Sequence, residues 1–278
     1  MSDTFVDSRF LSKNLKKRSP DSRKGQNGSV LVVGGSRQYY GSPALVALAA
    51  LRAGADLVYL LVPEHIAPTV ASYSPDLIVW GYKGEYLNKG ATDLFSELRE
   101  KTDVMVIGNG LTKKSDVLKV AEKMIREYKK PCVIDADAIV AGGYGIKNAV
   151  YTPHVKEFER LAGRALPQDF GAQKSLVNSI AENFDSTVLL KGKIDIASDG
   201  KIMLLNKTGN SGMTCGGTGD TLAGVCGALL AQKNSALNSA ICAAHINGAA
   251  GDLAYKKFGN SLIASDIITE LPNVLRTI

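Results

Sequence analysis

The chain has 278 residues, 45% of them hydrophobic and 6% aromatic, with 28 glycines and a formal net charge of +6; this is the make-up of a globular, enzyme-like chain of one large α/β domain and excludes a disordered one. The positive balance favours anionic ligands, but no stripe of interleaved basic and aromatic residues argues for nucleic acid, so none is expected as a partner. No apolar run is long enough to span a membrane, the first residues are polar rather than signal-like, and the four cysteines form no C-x-x-C pair, which together suggest a reduced, cytoplasmic protein with no membrane partner.

Residues 1–28 are polar and basic, with Lys13, Lys16, Lys17, Arg18, Arg23 and Lys24, and read as a solvated lead-in rather than a nucleic-acid arm. Residues 29–278 read as a single domain, since no linker-like stretch interrupts them. Ser29–Val33 is a continuous apolar run, which predicts a strand covered on both faces and ending in Gly34-Gly35-Ser36. Gly41-Ser42-Pro43 opens a helix of small and apolar residues over 44–53, stopped by Gly54. Its small first residues either admit a flat ligand to the backbone or allow close packing.

Strands are expected at 56–62, 77–80, 103–107 and 131–134, with helices at 91–101 and, charged on its outer face, at 113–130. Alternation of this kind predicts a mostly parallel sheet with helices on both faces, and ligands in such folds bind beyond the carboxyl ends of the strands. Gly34-Gly35, Gly108-Asn109-Gly110 and Asp135-Ala136-Asp137 all fall there. Residues 149–152 lead into Pro153-His154 and a helix begun by Val155-Lys156-Glu157. His154 in this place either starts the helix or faces a ligand. Thr187–Leu190 is a strand carrying Lys191-Gly192 at its end, and Asp199-Gly200 turns an antiparallel pair, 194–198 and 201–205. Three helices close the chain at 221–232, 236–257 and 264–276, with His245 expected as a satisfied core histidine in the second.

Between the hairpin and these helices runs Gly209-Asn210-Ser211-Gly212-Met213-Thr214-Cys215-Gly216-Gly217-Thr218-Gly219-Asp220. Glycines let backbone N–H groups turn inward, and a helix start leaves its first N–H groups unpaired and partly positive, so the stretch suits an anion, most simply a phosphate. Asp220 in that environment is either a helix cap or the group that takes a proton from a hydroxyl attacking the phosphate.

Five stretches together, Gly108-Asn109-Gly110-Leu111, Asp135-Ala136-Asp137-Ala138, Thr152-Pro153-His154 with Glu157, Leu190-Lys191-Gly192, and Asn210 to Gly224, resemble the ADP/ATP-dependent NAD(P)H-hydrate dehydratases of the ribokinase-like superfamily, in the form without a fused epimerase domain. The resemblance runs from about residue 25 to the C-terminus, and implies a ribokinase-like three-layer α/β/α sandwich. It further implies that a nucleotide, ADP or ATP, phosphorylates the ring hydroxyl of hydrated NADH or NADPH and that the phosphate then leaves. Asp220 would activate that hydroxyl. Gly216, Gly217, Thr218 and Gly219 would hold the transferring phosphate, while Ser42, Pro43, Ala44, Gly110 and His154 would border the hydrated dinucleotide. Lys191, Gly192, Lys193, Ile194 and Asp195, with Gly219, would meet the adenine nucleotide, with Mg²⁺ on its phosphates. A homotetramer is also implied. The family's commoner pattern has proline where Asn109 stands; asparagine still permits the turn. A small-molecule kinase of the same superfamily shares the loop chemistry, and a nucleotide-binding regulator without catalysis is the third possibility.

Overall fold

The computed structural model describes residues 3–143 and 145–278. Its nine strands form one sheet in the order β3-β2-β1-β4-β5-β6-β7-β8-β9: β1 (Ser29–Val33), β2 (Leu57–Pro63), β3 (Ile78–Tyr82), β4 (Val104–Ile107), β5 (Cys132–Ile134), β6 (Ala149–Tyr151), β7 (Thr187–Leu190), β8 (Asp195–Ser198) and β9 (Met203–Asn206). The strands β1 to β7 pair in parallel; β8 and β9 add the expected antiparallel pair. The chain moves outward from β1 to β3, then returns to lay β4 on the other side of β1. That reversal opens a crevice at the carboxyl ends of β1 and β4.

Side chains alternate across the sheet with the period of two that a strand imposes. Val30, Val32, Val104, Val106 and Val133 enter one core, while Leu31, Val33, Met105, Ile107 and Ile134 enter the other. The first core is covered by α2 (Gly41–Arg52), α9 (Thr218–Ala231), α10 (Ala236–Phe258) and α11 (Ala264–Leu275), and the second by α4 (Thr92–Lys101), α5 (Ser115–Tyr128) and α8 (Phe170–Phe184). This is the three-layer sandwich that the resemblance implies. The smaller helices are α1 (Ser8–Asn14), α3 (Ala67–Ser72), α6 (Ile139–Gly142) and α7 (Val155–Ala162). Small residues let α9 cross α2 at close range: a Cβ on Gly224 would lie 2.2 Å from the Val46 carbonyl oxygen.

Three expectations need correction. The first residues are more than a solvated lead-in. Leu205 N–H donates to the Thr4 carbonyl and Val6 N–H to the Leu205 carbonyl, both at 2.9 Å, and Leu11 on α1 is wholly buried. Apolar Val6 and Leu11 hold the segment down although the polar residues around them dominate its composition. The 170–184 helix was not anticipated, although Asp169 caps it by accepting from Ala172 N–H at 2.7 Å and Leu176, Val177, Ile180, Ala181 and Phe184 form its buried side. Finally, His245 is not fully satisfied: its Nδ1 is buried and has no hydrogen-bond partner.

Candidate active site

The carboxyl ends of β4, β5, β6 and β7 converge on the first turn of α9. Asp135, at the end of β5, is 2% exposed. Its Oδ1 accepts from Thr152 Oγ1 at 2.7 Å and from Lys191 Nζ at 3.0 Å, while Oδ2 accepts from Asn109 Nδ2 at 2.9 Å. The other hydrogen of the Asn109 amide goes to Asp220 Oδ1 at 2.7 Å. One side-chain amide thus joins two carboxylates that lie far apart in the sequence.

Close backbone approach makes this possible. Gly108 has φ +128°, and a Cβ there would fall 1.8 Å from the Asp135 carbonyl oxygen. Only glycine lets the β4 loop lie against the β5 loop at this distance.

The expectation that α9 begins at residue 221 is corrected by the structure. It begins at Thr218, with Gly217 as N-cap at φ +95° and no side-chain cap. Asp220 is therefore inside the first turn, and the alternative in which it caps the helix falls away. Thr221 N–H is the first of the turn to reach a helical acceptor, the Gly217 carbonyl at 3.1 Å. The N–H groups before it are left for a ligand.

Lys191 stands beside this turn: a Cβ on Gly219 would lie 3.4 Å from its Nζ. Burial works against the Lys191 ammonium, but Asp135, Glu157 and Asp220 together hold its pKa above the ordinary lysine value. Asp220 is under opposite pressure. Burial raises it most; Asn109, Ser42 and Lys191 pull it down, Asp135 pushes it further up, and it settles at about 6. A carboxyl at that value is ionised at neutral pH yet basic enough to accept a proton.

A cleft of about 760 Å³ opens next to this centre. His154, Lys191, Gly192, Lys193, Asp195, Thr218 and Gly219 line it together with Gly209, Asn210, Ser211, Met213, Thr214 and Cys215 of the loop. Ile194, Gly216 and Gly217 adjoin but do not line it. Asp195 is fixed by Gly192 N–H and Asn206 Nδ2, both at 3.0 Å; burial nevertheless raises its pKa. His154 caps α7: its Nδ1 accepts from Glu157 N–H at 3.3 Å, and Glu157 Oε2 accepts from His154 N–H at 2.9 Å. With Nδ1 accepting, the ring proton sits on Nε2, 3.2 Å from Glu157 Oε1.

Ser42 and Gly110 lie on the other side of Asp220. The Ser42 side chain faces the Asp220 carboxylate and helps to lower its pKa, and a Cβ on Gly110 would come within 3.2 Å of Ser42 Cβ. Pro43 and Ala44 are buried, so of that trio Ser42 alone presents a polar side chain to the centre.

Residues that sequence reasoning passed over hold the loop and helix. Asn247, 2% exposed, accepts from Thr221 Oγ1 at 2.7 Å and donates to the Thr218 carbonyl at 3.2 Å. Asp252 accepts from Gly209 N–H at 3.1 Å and Asn210 Nδ2 at 2.8 Å. Both interrupt the Ala- and Gly-rich run of α10, which was the available signal. Open N–H groups at a helix start, a cation beside them and one poorly supplied carboxylate are an arrangement able to transfer a phosphoryl group to a hydroxyl.

Comparison with known proteins fits this geometry. The family model described as NAD(P)H-hydrate dehydratase matches residues 30–273. The ADP-dependent (S)-NAD(P)H-hydrate dehydratase of Cenarchaeum symbiosum is 41% identical over 269 residues, covering 95% of this chain and 94% of the relative. The bifunctional NAD(P)H-hydrate repair enzyme of Methanothermobacter thermautotrophicus is 42% identical over 270 residues, covering 94% of this chain but 52% of the relative, so the chain spans about half the length of that protein. In fold it is similar to the ADP/ATP-dependent NAD(P)H-hydrate dehydratase of Bacillus subtilis co-crystallised with ATP and Mg²⁺, with a TM-score of 0.86 at 23% identity and 99% of both chains covered. With a family model matched over nearly its whole length and a full-length relative above 40% identity, the chain belongs to the NAD(P)H-hydrate dehydratase family.

Proposed function

We propose that this chain is an ADP- or ATP-dependent (S)-NAD(P)H-hydrate dehydratase, a hydro-lyase that restores NADH and NADPH from their hydrates. One observation carries the reading: Asp220, with a pKa of about 6, stands in the first turn of α9 beside Lys191, where a hydroxyl and a phosphate would meet.

In this scheme the hydrated dinucleotide lies toward Ser42, Gly110 and His154, and the adenine nucleotide fills the cleft bordered by Lys191, Gly192, Lys193 and Asp195. Asp220 takes the proton of the ring hydroxyl as its oxygen bonds to the terminal phosphorus and the bond to the nucleotide breaks. N–H groups from Gly216 to Gly219 and the Lys191 ammonium take up the charge that grows on the phosphoryl oxygens. Phosphate then leaves with the electron pair of its C–O bond while the neighbouring ring carbon gives up a proton to solvent, and the C–H pair becomes the restored double bond. The products are the reduced dinucleotide, phosphate, and AMP from ADP or ADP from ATP.

Among the described residues no group of three or more His, Cys, Asp and Glu is placed to hold a metal ion, and Asp135 is already filled by three donors. This donor set suits a Mg²⁺ held by the nucleotide phosphates and water, where it would neutralise phosphate charge. The reading extends to residues 29–278 as one catalytic domain in a cytoplasmic homotetramer. No described helix is long and apolar enough to cross a membrane.

The test is incubation with hydrated NADH or NADPH, Mg²⁺ and ADP or ATP, following the near-ultraviolet absorbance of the reduced nicotinamide and the release of phosphate. Nucleotide-dependent recovery with matching phosphate is expected. Nucleotide binding without recovery would overturn the proposal, and a stable phosphate ester of another alcohol would replace it with the kinase reading. Light scattering tests the tetramer.

A further inference from the structure

Asn109 is 0% exposed and is held from several sides. Its carbonyl accepts from Gly35 N–H at 2.9 Å, and a Cβ on Gly34 would come within 2.3 Å of that same oxygen. Its Nδ2 is anchored to Asp135, which Lys191 and Thr152 fix in turn. Its Oδ1 is buried without a partner. Two flanking carboxylates decide which end of the amide faces them, because only the nitrogen carries hydrogens.

An amide nitrogen donates and does not accept. Asp220 Oδ1, 2.7 Å from it, therefore has to present a lone pair whether or not the carboxyl is protonated, and a proton on Asp220 has to sit on Oδ2. We propose that Asn109 is a positioning residue for proton transfer, pinning Asp220 Oδ1 as an acceptor and leaving Oδ2 as the oxygen that takes the substrate's hydroxyl proton. This rests on the dehydratase reading for the identity of the hydroxyl, but the pinning itself does not. In the step, the O–H pair becomes the new O–P bond, the P–O bond to the leaving nucleotide breaks toward the nucleotide, and the proton ends on Asp220 Oδ2.

The groups that face Asp220 are Ser42 from α2, Asn109 from the β4 loop, Asp135 from the end of β5 and Lys191 from the end of β7. Of the donors among them, Asn109 is buried and anchored to Asp135, while the Lys191 ammonium is shared with Asp135. Removing the amide leaves Asp220 facing Asp135 with less to offset it, so Asp220 should hold its proton to higher pH.

The experiment uses the intact chain in three measurements. In the unmodified protein, the side-chain amide signal of Asn109 is followed by NMR across pH 4–9. It should move with a single midpoint that matches the Asp220 carboxyl signal, which Asp220→Asn identifies. In Asn109→Leu, the Asp220 midpoint and the acid limb of kcat/KM should both rise by roughly one unit, with a rate loss of about five-fold at pH 6 that approaches about ten-fold in more acid solution and vanishes by pH 9. Asn109→Ser, which keeps a donor, should lie between. An amide signal that ignores Asp220 titration, or a rate loss equal at every pH with an unmoved limb, would overturn the proposal. Failure of the dehydratase reading would show instead as absent turnover in the unmodified protein, with the amide titration still deciding the pinning.

Discussion

Two aspartates at opposite ends of the sheet face the same kinds of group and end in opposite states. Asp56 lies at the amino end, just before β2. Asp220 lies at the carboxyl end, in α9. Each is partly desolvated, meets an asparagine side-chain amide and stands near a cation. Around Asp56, burial raises the pKa most, but Asn27 through its backbone and side chain, Gly25 N–H and Arg18 outweigh it, and the carboxyl is held below its usual range. Gly25 N–H donates to it at 2.8 Å and Asn27 N–H at 3.0 Å. Around Asp220 burial wins. What separates them is where the nearby backbone N–H groups point. The 25–27 loop aims them at its own carboxylate, whereas the first turn of α9 leaves them open. A structural acid is saturated with donors, and a reactive one is left short of them.

The largest effect should come from Asp220→Asn. Turnover should fall by about 10²–10⁴-fold with nucleotide binding retained. Retained turnover would end the contrast, since both acids would then be structural. In the unmodified enzyme, kcat/KM should rise about ten-fold per pH unit in acid and level off above roughly pH 6, the value expected of the Asp220 base. Next in size, Asp56→Ala should cost about 2–3 kcal/mol in denaturant unfolding and leave turnover per folded molecule unchanged. The Asp56 pKa is lowered on folding, so its contribution is present above the unfolded value near 3.8 and is lost as pH falls through the lower folded value. The deficit should therefore be full at pH 7 and shrink below about pH 4. The smallest effect has the reverse sign. The Asp220 pKa is raised on folding, so the folded state binds that proton more tightly and is penalised above about pH 6. Asp220→Asn should stabilise the protein by about 1–3 kcal/mol at pH 8, allowing for partial exposure, and the gain should vanish below about pH 4. Unchanged stability at both pH values would show that the carboxylate carries no folding penalty.

Most strands were legible because both faces of this sheet are covered, so runs such as Ser29–Val33 stay apolar throughout. The glycine loop and Asp220 were legible because phosphate chemistry leaves a local signature in the chain. What sequence hid was mostly long-range. Asn109 looked like a residue that merely tolerates a turn; its significance depends on Asp135 and Asp220, the second of them 111 residues away. The true start of α9 was hidden because its N-cap is a glycine at positive φ, without the side-chain cap that usually marks a helix start. The 170–184 helix did carry a cap and a periodic apolar face, and there the information was present but diluted by Gln173, Lys174, Ser175 and Asn178.

The first residues also bear on how copies of this chain meet. A sheet has two rims, and each rim strand offers unpaired N–H and C=O groups to any extended segment that arrives. Here the rim at β9 is engaged at Leu205 by Thr4 and Val6 of the same molecule, with Phe5 completing the parallel bridge. Growth of the ladder from one molecule into the next is thereby discouraged at that rim and left to β3 at the far side. Removing residues 1–7 would reopen the β9 rim, and the first consequence would be seen in solubility on standing rather than in turnover.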